Sequence, residues 1–314
     1  MKIHIINLDL PPSERWTFLS EYKEEINELI QCYLNDFTGA EFIFDAIELY
    51  KEQFINETYV AEIQCIADIS EFSFNEILIA NLYYDILKLY FGCTAFAIWN
   101  GNEMLHARNL DWHTEQNILS KFSMIFDYQK GGKTVCKTIG WPGFVGILSG
   151  IKPEKFALTL NAVLSSDQPE LALPISFLLR DVLETCESFT EAKKMLESTP
   201  IVSDCLLLLS GTNINEKVVI ERTPKRVATR ISDEDYIVVT NDYKELQNQQ
   251  VGTGIIHATS CGRFDAATTL LRNKEVQQED HCLEVLQDEN VMMGITVQQM
   301  VFNVNTGAIA LVCT

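Results

Sequence analysis

The amino-acid sequence predicts an α+β fold in which helices cover largely antiparallel β-sheets. Hydrophobic residues make up 47% of the 314 residues, enough for a sizeable core without metals or disulfides. The first 92 residues show helical periodicity, and from residue 93 onward the pattern changes to period two with frequent turn residues. Predicted strands and helices do not alternate strictly, which argues against a parallel βαβ sheet.

The N-terminal third is predicted to be helical and acidic. Residues 1–92 carry seventeen acidic and five basic side chains, and two of the fifteen glycines. The apolar spacing predicts helices at 12–35, 40–55, 57–69 and 73–91. Ser73 and Glu76 form a capping box at the start of the last one. Its nearly all-apolar surface indicates a helix buried between layers, with a membrane-touching face as the alternative.

Most strands are predicted in the remainder of the chain. Candidate strands lie at 94–99, 104–111, 121–128, 133–139, 144–150, 156–162, 203–210, 217–222, 236–241, 299–304 and 307–313. Helices are predicted at 172–186, 189–198 and 263–273. The turn Gly101-Asn102 predicts that the first two strands form a hairpin. No low-complexity linker divides the sequence, which indicates one domain with an appended helical N-terminal piece.

Charge and cysteine content disfavour several classes of function. The net charge of -20 opposes binding to nucleic acid. Nine cysteines without a CxxC pair argue against a disulfide framework and a structural zinc site. Neither a metal nor a cofactor is predicted. The sequence shows no run of eighteen apolar residues and no signal-peptide pattern, so a cytoplasmic location is the default expectation and the actual location stays open.

Cys93 stands where the composition changes. It follows Gly92 and precedes the predicted hairpin, whose second strand returns Arg108 and Asp111 to its vicinity. A neighbouring cation lowers the pKa of a thiol, and a carboxylate can hold a protonated amine. The spacing therefore indicates a nucleophile, with a buried cysteine beside a strand-tying Arg–Asp pair as the alternative.

Five motifs, in order along the chain, resemble the acid ceramidase and N-acylethanolamine acid amidase family. They are Ile6-Asn7-Leu8-Asp9-Leu10-Pro11-Pro12 with Trp16, Cys93-Thr94, Arg108-Asn109-Leu110-Asp111, Trp141-Pro142-Gly143-Phe144-Val145-Gly146, and Leu158-Thr159-Leu160-Asn161. The resemblance implies the four-layer αββα sandwich of the N-terminal nucleophile hydrolases, with an added helical N-terminal segment. It also implies a precursor that cuts itself between Gly92 and Cys93, leaving a helical α chain (1–92) and a catalytic β chain (93–314) in one particle.

The resemblance further assigns catalytic roles to five residues. Cys93 matches the nucleophile, Arg108 the arginine beside the thiol, and Asp111 the aspartate that holds the α-amine. Asn241, at the end of the strand 236–241, matches the asparagine that supplies oxyanion hydrogen bonds. Arg263 matches an arginine that orients the site. Without the resemblance, Asn241 reads as a turn residue and Arg263 as a solvated residue in a first helical turn.

Three further residues are implied to bind substrate: Asn161, Trp141 and Phe144. Many members of the family have an acidic residue directly after the asparagine that matches Asn161. This chain has Ala162 at that position, so the resemblance assigns no role to a carboxylate there. A free N-terminal cysteine combines a thiol nucleophile with an amine base, so this chemistry needs no histidine. The five histidines indeed fall in no triad or metal spacing.

The resemblance thus implies an amidohydrolase that cleaves a lipid N-acyl amide, of ceramide or N-acylethanolamine type, to a fatty acid and an amine. The expected partners are that small-molecule substrate and the two chains of one precursor, with at most transient membrane contact. A lysosomal location follows only by analogy. One alternative is a bile-salt, acylated-lactone or β-lactam amidase, or an acyltransferase, on the same scaffold. Another is an unprocessed, non-catalytic lipid-binding homologue.

Overall fold

Two β-sheets pack face to face at the centre of the computed structural model, which describes residues 2–37, 42–87, 91–247, 255–273 and 275–314. The strands are β1 (Ile3–Asn7), β2 (Phe91–Trp99), β3 (Met104–Trp112), β4 (Met124–Lys130), β5 (Lys133–Gly140), β6 (Ser149–Lys152), β7 (Phe156–Asn161), β8 (Cys205–Ser210), β9 (Lys217–Arg222), β10 (Val227–Ile231), β11 (Tyr236–Val239), β12 (Thr296–Asn303) and β13 (Ala308–Cys313). Within the described residues, one sheet has the order β1-β4-β5-β6-β7-β8-β9-β10 and the other β11-β2-β3-β12-β13. Pairing is antiparallel except between β1 and β4.

Helices cover both outer faces of this pair of sheets. The helices of the described residues are α1 (Lys23–Asn35), α2 (Phe42–Phe54), α3 (Glu57–Ile69), α4 (Phe74–Asn81), α5 (Tyr83–Leu87), α6 (Ile118–Lys121), α7 (Ile175–Thr185), α8 (Phe189–Ser198), α9 (Ile255–Asn273) and α10 (Glu279–Leu286). Helices α7 and α8 pack on the eight-stranded sheet, and α9 and α10 pack on the five-stranded sheet. The layers therefore run α, β, β, α, as predicted.

Local sequence signals explain how the N-terminal helices begin. Short 3-10 helices span Pro12–Glu14 and Thr17–Tyr22, so α1 begins later than the predicted start at residue 12. The side chain of Asn56 accepts a hydrogen bond from the amide of Tyr59 and caps α3. The predicted capping box of Ser73 and Glu76 is present at the start of α4.

The structure corrects several predicted boundaries. The predicted helix 73–91 is two short helices, α4 and α5; residues 88–90 lie outside the described residues, and Phe91 already belongs to β2. The predicted strand 144–150 is a loop up to β6. Helix α9 begins at Ile255, before the predicted start at 263. The sequence analysis also missed β1, β10 and α10.

Strand β1 shows that the N-terminal segment is not entirely helical. This segment is mainly helical, as predicted, but β1 also pairs with β4 at the edge of the eight-stranded sheet. The first strand of the chain is therefore part of a central sheet, whereas the helices that follow it are not. Phe91 and Gly92, at the other end of the segment, belong to the five-stranded sheet.

A buried ion pair joins the N-terminal helices to α7. Arg180 donates to both carboxylate oxygens of Glu62, and both residues are fully buried. Glu62 also accepts hydrogen bonds from Arg15 Nη1 at 3.0 Å and from Trp16 Nε1 at 2.8 Å. Removing one partner of such a pair leaves an uncompensated buried charge, which typically lowers the free energy of unfolding by about 3–5 kcal/mol.

Candidate active site

Cys93 lies on β2, where the hairpin with β3 holds it between the two sheets. The register places Cys93 opposite Leu110 and Gly92 opposite Asp111, as the predicted turn requires. Only 1% of Cys93 is exposed, and its Sγ is 3.7 Å from the carbonyl oxygen of Leu160 on the opposite sheet. In the uncut chain the thiol is therefore enclosed on both sides by strands.

Arg108 is the cation beside this thiol. Its Nη2 lies 3.1 Å from Sγ of Cys93 and also donates to the carbonyl of Leu160. Its Nη1 donates to the carbonyl of Leu148 at 2.8 Å and to the hydroxyl of Ser149. Burial raises the pKa of the Cys93 thiol, and the charge of Arg108 acts in the opposite direction. Burial is the larger effect, so the net shift of the pKa of the thiol is upward.

Asp111 faces Gly92 across the hairpin. Its Oδ1 accepts a 2.6 Å hydrogen bond from Thr296, and its buried Oδ2 has no hydrogen-bond partner among the described residues. Burial raises the pKa of this carboxyl, against the Thr296 hydrogen bond and the charge of Arg263. A Cβ on Gly92 would lie 3.1 Å from Cβ of Asp111 and 3.2 Å from Sδ of Met293, so a glycine suits this close approach.

Asn241 and Arg263 hold the backbone of Cys93. Oδ1 of Asn241 accepts from the amide of Cys93 at 3.2 Å and from Nη2 of Arg263 at 2.7 Å. Nη1 of Arg263 donates to the carbonyl of Cys93 at 2.7 Å and to the hydroxyl of Thr94 at 2.8 Å. Nδ2 of Asn241 donates to the carbonyl of Ala162 at 2.8 Å. Arg263 lies within α9 and is 3% exposed, so the reading of a solvated first-turn residue is wrong.

Of the three residues expected to bind substrate, Asn161 directly follows Leu160, whose carbonyl oxygen is 3.7 Å from the thiol, whereas Trp141 and Phe144 belong to an aromatic cluster. Nδ2 of Asn161 donates to the carbonyl of Thr240 at 3.0 Å, next to Asn241 in the chain, and its Oδ1 is buried without a partner among the described residues. Trp141 packs edge-on against Trp112, with ring centroids 5.7 Å apart, and against Phe144 at 6.2 Å. Trp112 in turn packs on Phe91, at 4.1 Å, beside the junction.

The geometry thus separates the expected site residues into two groups. The first surrounds the junction and consists of Gly92, Cys93, Arg108, Asp111, Asn241 and Arg263. The second borders it, with Asn161 behind Asn241 and with Trp141 and Phe144 beyond one aromatic layer. The sequence analysis missed Thr94, Thr296 and Ser149, which hold these groups, because each contact depends on tertiary packing.

A cavity of about 370 Å³ opens next to the junction. Its lining includes Arg263 and Met293, and both contact the junction as described above. The remaining lining residues are Thr259, Gly262, Glu289, Asn290, Met292 and Gly294. The cavity therefore lies on the α9 side of the junction, separated from residues 92–93 by side chains that contact them.

His106 is a second buried group that the sequence analysis did not single out. It lies on β3, two residues before Arg108, and its ring nitrogens are 2.8 Å from the hydroxyls of Ser210 and Thr159. Burial, with the charge of Arg108 as a smaller cause, lowers the pKa of His106 to about 3. A neutral imidazole therefore bridges the two sheets beside the candidate site.

The part of the chain that the structure describes contains neither a candidate metal site nor a helix that could cross a membrane. It holds no group of three or more His, Cys, Asp or Glu side chains placed to bind a metal ion. Among the same residues, no helix has the length and apolar character needed to cross a bilayer.

Comparison with known proteins places the chain in a family. Residues 99–307, more than half of the chain, match the family model described as acyl-coenzyme A:6-aminopenicillanic acid acyl-transferase. The chain belongs to this family. Residues 1–48 match a second model, described as the beta subunit of N-acylethanolamine-hydrolyzing acid amidase. Residues 49–98, which contain the Gly92–Cys93 junction, lie between the two matches.

Relatives of this acyl-transferase family member include proteins named acid ceramidase. Acid ceramidase of Heterocephalus glaber is 29% identical over 253 residues, which cover 71% of this chain and 63% of the relative. That of Balaenoptera acutorostrata scammoni is 30% identical over 250 residues, which cover 70% and 62%. The chain therefore spans somewhat less than two thirds of the length of these relatives. These matches confirm the resemblance to the acid ceramidase and N-acylethanolamine acid amidase family.

A solved structure supports the fold of this family member. The Caenorhabditis elegans ortholog of N-acylethanolamine-hydrolyzing acid amidase has a TM-score of 0.56 and 23% sequence identity, and the match covers 67% of this chain and 92% of that chain. Together with the two packed sheets and their helices, it confirms the predicted fold class.

We expect His106 to make the stability of the protein depend on pH. The pKa of His106 is about 3 in the folded chain, against 6.5 for an ordinary histidine, so the folded state binds fewer protons between these values. The resulting stability is complete above pH 6.5 and is lost as the pH falls toward 3. The free energy of unfolding should therefore decrease by about 2 kcal/mol between pH 6.5 and 5 through this group alone.

Chemical denaturation of the wild type and His106→Gln over this pH range measures that difference. The variant should show a flatter profile, and His113→Gln, at an exposed position, should follow the wild type. Parallel profiles for the wild type and His106→Gln would contradict a neutral His106.

Proposed function

We propose that this chain is the precursor of a cysteine N-terminal-nucleophile amidohydrolase that cleaves the N-acyl amide bond of a lipid, of ceramide or N-acylethanolamine type. One observation carries the proposal: the thiol of Cys93 lies 3.1 Å from Arg108, while Asn241 and Arg263 bind the amide and the carbonyl of the same residue. Its acid ceramidase relatives support amide chemistry.

The first proposed step is cleavage of the chain itself. Sγ of Cys93 attacks the carbonyl carbon of Gly92, the Gly92–Cys93 C–N bond breaks, and the nitrogen takes the thiol proton to become a free amine. Water then hydrolyses the thioester, which leaves a carboxylate on Gly92 and regenerates the thiol. The absence of a Cβ on Gly92 keeps its carbonyl open to attack. The two family matches, on either side of residues 49–98, support a division at this junction.

The second proposed step uses the same thiol on a substrate amide. The new α-amine accepts the thiol proton, and the thiolate attacks the substrate carbonyl to form a thioester and release the amine product with that proton. The second N–H of Nδ2 of Asn241 is available for the oxyanion, because the first binds Ala162. Water then releases the fatty acid. Oδ2 of Asp111, buried and without a hydrogen-bond partner among the described residues, is the proposed support of the α-amine.

Self-cleavage predicts two polypeptides in the active enzyme, the larger beginning at Cys93. Cys93→Ala should stay one chain and lose hydrolase activity, because nucleophile and base are both tied to this residue. Intact-mass spectrometry with activity measured on the same sample checks this. Cys136→Ala removes a buried thiol of the other sheet and should still cut itself. Full activity of an uncut chain would exclude the mechanism.

Asp111→Asn should keep the fold and lose self-cleavage and hydrolysis together. A misplaced amine base typically lowers the rate by a factor of about a hundred or more. Turnover and melting temperature are measured on the same preparation, with Asp127→Asn on β4 as the matched buried aspartate. A purely structural Asp111 would give the opposite result, namely a lower melting temperature with unchanged specific activity of the folded fraction.

The proposed lipid substrate predicts a dependence of kcat/KM on acyl-chain length. Each buried methylene contributes about 0.8 kcal/mol, so removing two carbons should lower kcat/KM roughly tenfold until the chain no longer fills its site. The measurement uses N-acyl amides of about eight to eighteen carbons below their micelle concentrations, with a conjugated bile salt as the comparison substrate. If kcat/KM did not depend on chain length, or if the bile salt were preferred, the lipid-amide assignment would be wrong. The proposed role of Cys93 as nucleophile would not be affected.

A further inference from the structure

Asn81 is a buried polar residue at the end of α4. It is 1% exposed, and the four residues before it in the helix are buried hydrophobics. A polar side chain in such surroundings is costly unless its hydrogen bonds are made. Nδ2 of Asn81 donates to the carbonyl of Ile77 at 2.9 Å and to that of Gly143 at 3.0 Å, and Oδ1 accepts from the amide of Val145 at 2.8 Å.

Two of these three bonds cross from the N-terminal segment to the loop of residues 141–148. This loop follows β5 and precedes β6. Backbone bonds hold its end, where the amide of Ile147 donates to the carbonyl of Ser176 and the carbonyl of Leu148 accepts from the amide of Leu160. Gly143 has a φ of +90°, a conformation that favours glycine, and a Cβ there would lie 3.3 Å from Ile26 of α1. The N-terminal segment therefore sets the shape of the loop by contacts as well as by hydrogen bonds.

The carbonyl of Val145 is held from the other side. It accepts from Nη1 of Arg180 at 3.1 Å, and the buried carboxylate of Glu62 fixes the same guanidinium. Both backbone groups of Val145 are therefore satisfied by residues that belong to, or are anchored by, the N-terminal helices. Arg180 lies beyond Cys93 in the chain, whereas Asn81 acts directly from the N-terminal side.

Both ends of the loop reach the candidate active site. At its start, Trp141 packs against Trp112, which packs on Phe91 beside the junction. At its end, the carbonyl of Leu148 accepts from Arg108, the cation next to the thiol. A displacement of the loop would therefore move one wall of the site and one support of Arg108.

We propose that Asn81 is a positioning residue: from the N-terminal segment it holds the 141–148 loop in place and thereby sets the preference of the enzyme for the acyl group. The assignment of an acyl group rests on the function proposed above. The N-terminal segment keeps this positioning role after the chain is cut, because the hydrogen bonds of Asn81 do not depend on the Gly92–Cys93 bond.

The test replaces Asn81 with alanine and measures the loop and the activity separately. Hydrogen–deuterium exchange of the 143–148 amides should become about thirtyfold faster, since the variant loses two hydrogen bonds to the loop and each is worth about 1 kcal/mol. Self-cleavage should still reach completion. For long-chain N-acyl amides, KM should rise about tenfold with kcat changed by less than about threefold, while a short-chain amide should show little change in KM.

Two further variants keep the test decisive. Asn75→Ala, in the same helix, removes a side chain that donates to Glu48 within the N-terminal segment, and it should leave both loop exchange and acyl preference unchanged. If Asn81→Ala does not fold, Asn81→Asp keeps the acceptor for the Val145 amide and loses the donor to Gly143. It should give an intermediate increase in exchange.

The outcomes separate this proposal from the proposed function. Unchanged loop exchange in the folded variant would overturn the role of Asn81, whatever the activity. Faster exchange with an unchanged ratio of long-chain to short-chain kcat/KM would overturn the link to acyl preference. A wild-type protein without amidase activity would overturn the proposed function and that link, and the exchange data would still decide whether Asn81 holds the loop.

Discussion

The antiparallel pairing of β2 with β3 is the constraint on which the rest of the site depends. One register brings Gly92 to Asp111 and places Cys93 two residues from the position opposite Arg108. A shift by one residue would turn every side chain of β2 to the other face of the sheet. The thiol would then point toward α9 rather than toward Arg108 and the opposite sheet. The tight turn at residues 100–103 fixes this register, with the side chain of Asn100 accepting from the amides of Asn102 and Glu103.

The burial of the candidate site opposes the ionisation of its thiol and of its carboxyl. The same enclosure that positions the thiol also raises the pKa of Cys93 and of Asp111, although two arginines lie beside them. Arg263 donates to the carbonyl of Cys93 and to the side chains of Thr94 and Asn241, and it also forms an ion pair with Asp111 at 4.0 Å. Under the proposed function, cutting the chain changes this balance, because a peptide nitrogen becomes an amine that can bind protons.

Features that depend on neighbouring residues in the chain were predicted well from the sequence. The hairpin followed from its turn, the bounds of α3 from the apolar spacing, and the start of α4 from the capping box of Ser73 and Glu76. The grouping of Arg108 and Asp111 near Cys93 followed from the same turn. In contrast, the partner of Asp111 is Thr296, which is 185 residues away, and no local pattern indicates it.

Tertiary contacts explain the predictions that failed. The segment 144–150 has the alternation of a strand, but its first residues form a loop because Asn81 and Arg180 bind the backbone of Val145. Strand β1 was not predicted from the sequence. Two of its apolar side chains, Ile3 and Ile5, are more than half exposed, so its apolar residues do not mark one buried face. Its pairing with β4 only becomes apparent once the eight-stranded sheet is assembled.

The position of β1 affects the order in which folding and the proposed cleavage occur. The N-terminal segment begins in one sheet and ends, at Gly92, in the other, so it spans the core from edge to centre. While the chain is continuous, these two insertions occur within one molecule. A cut chain that unfolds would have to reassemble by a bimolecular, concentration-dependent encounter of two fragments. Under the proposed function, folding would therefore precede the cut, and the persistence of the cut molecule would be governed by its rate of unfolding rather than by a reversible equilibrium.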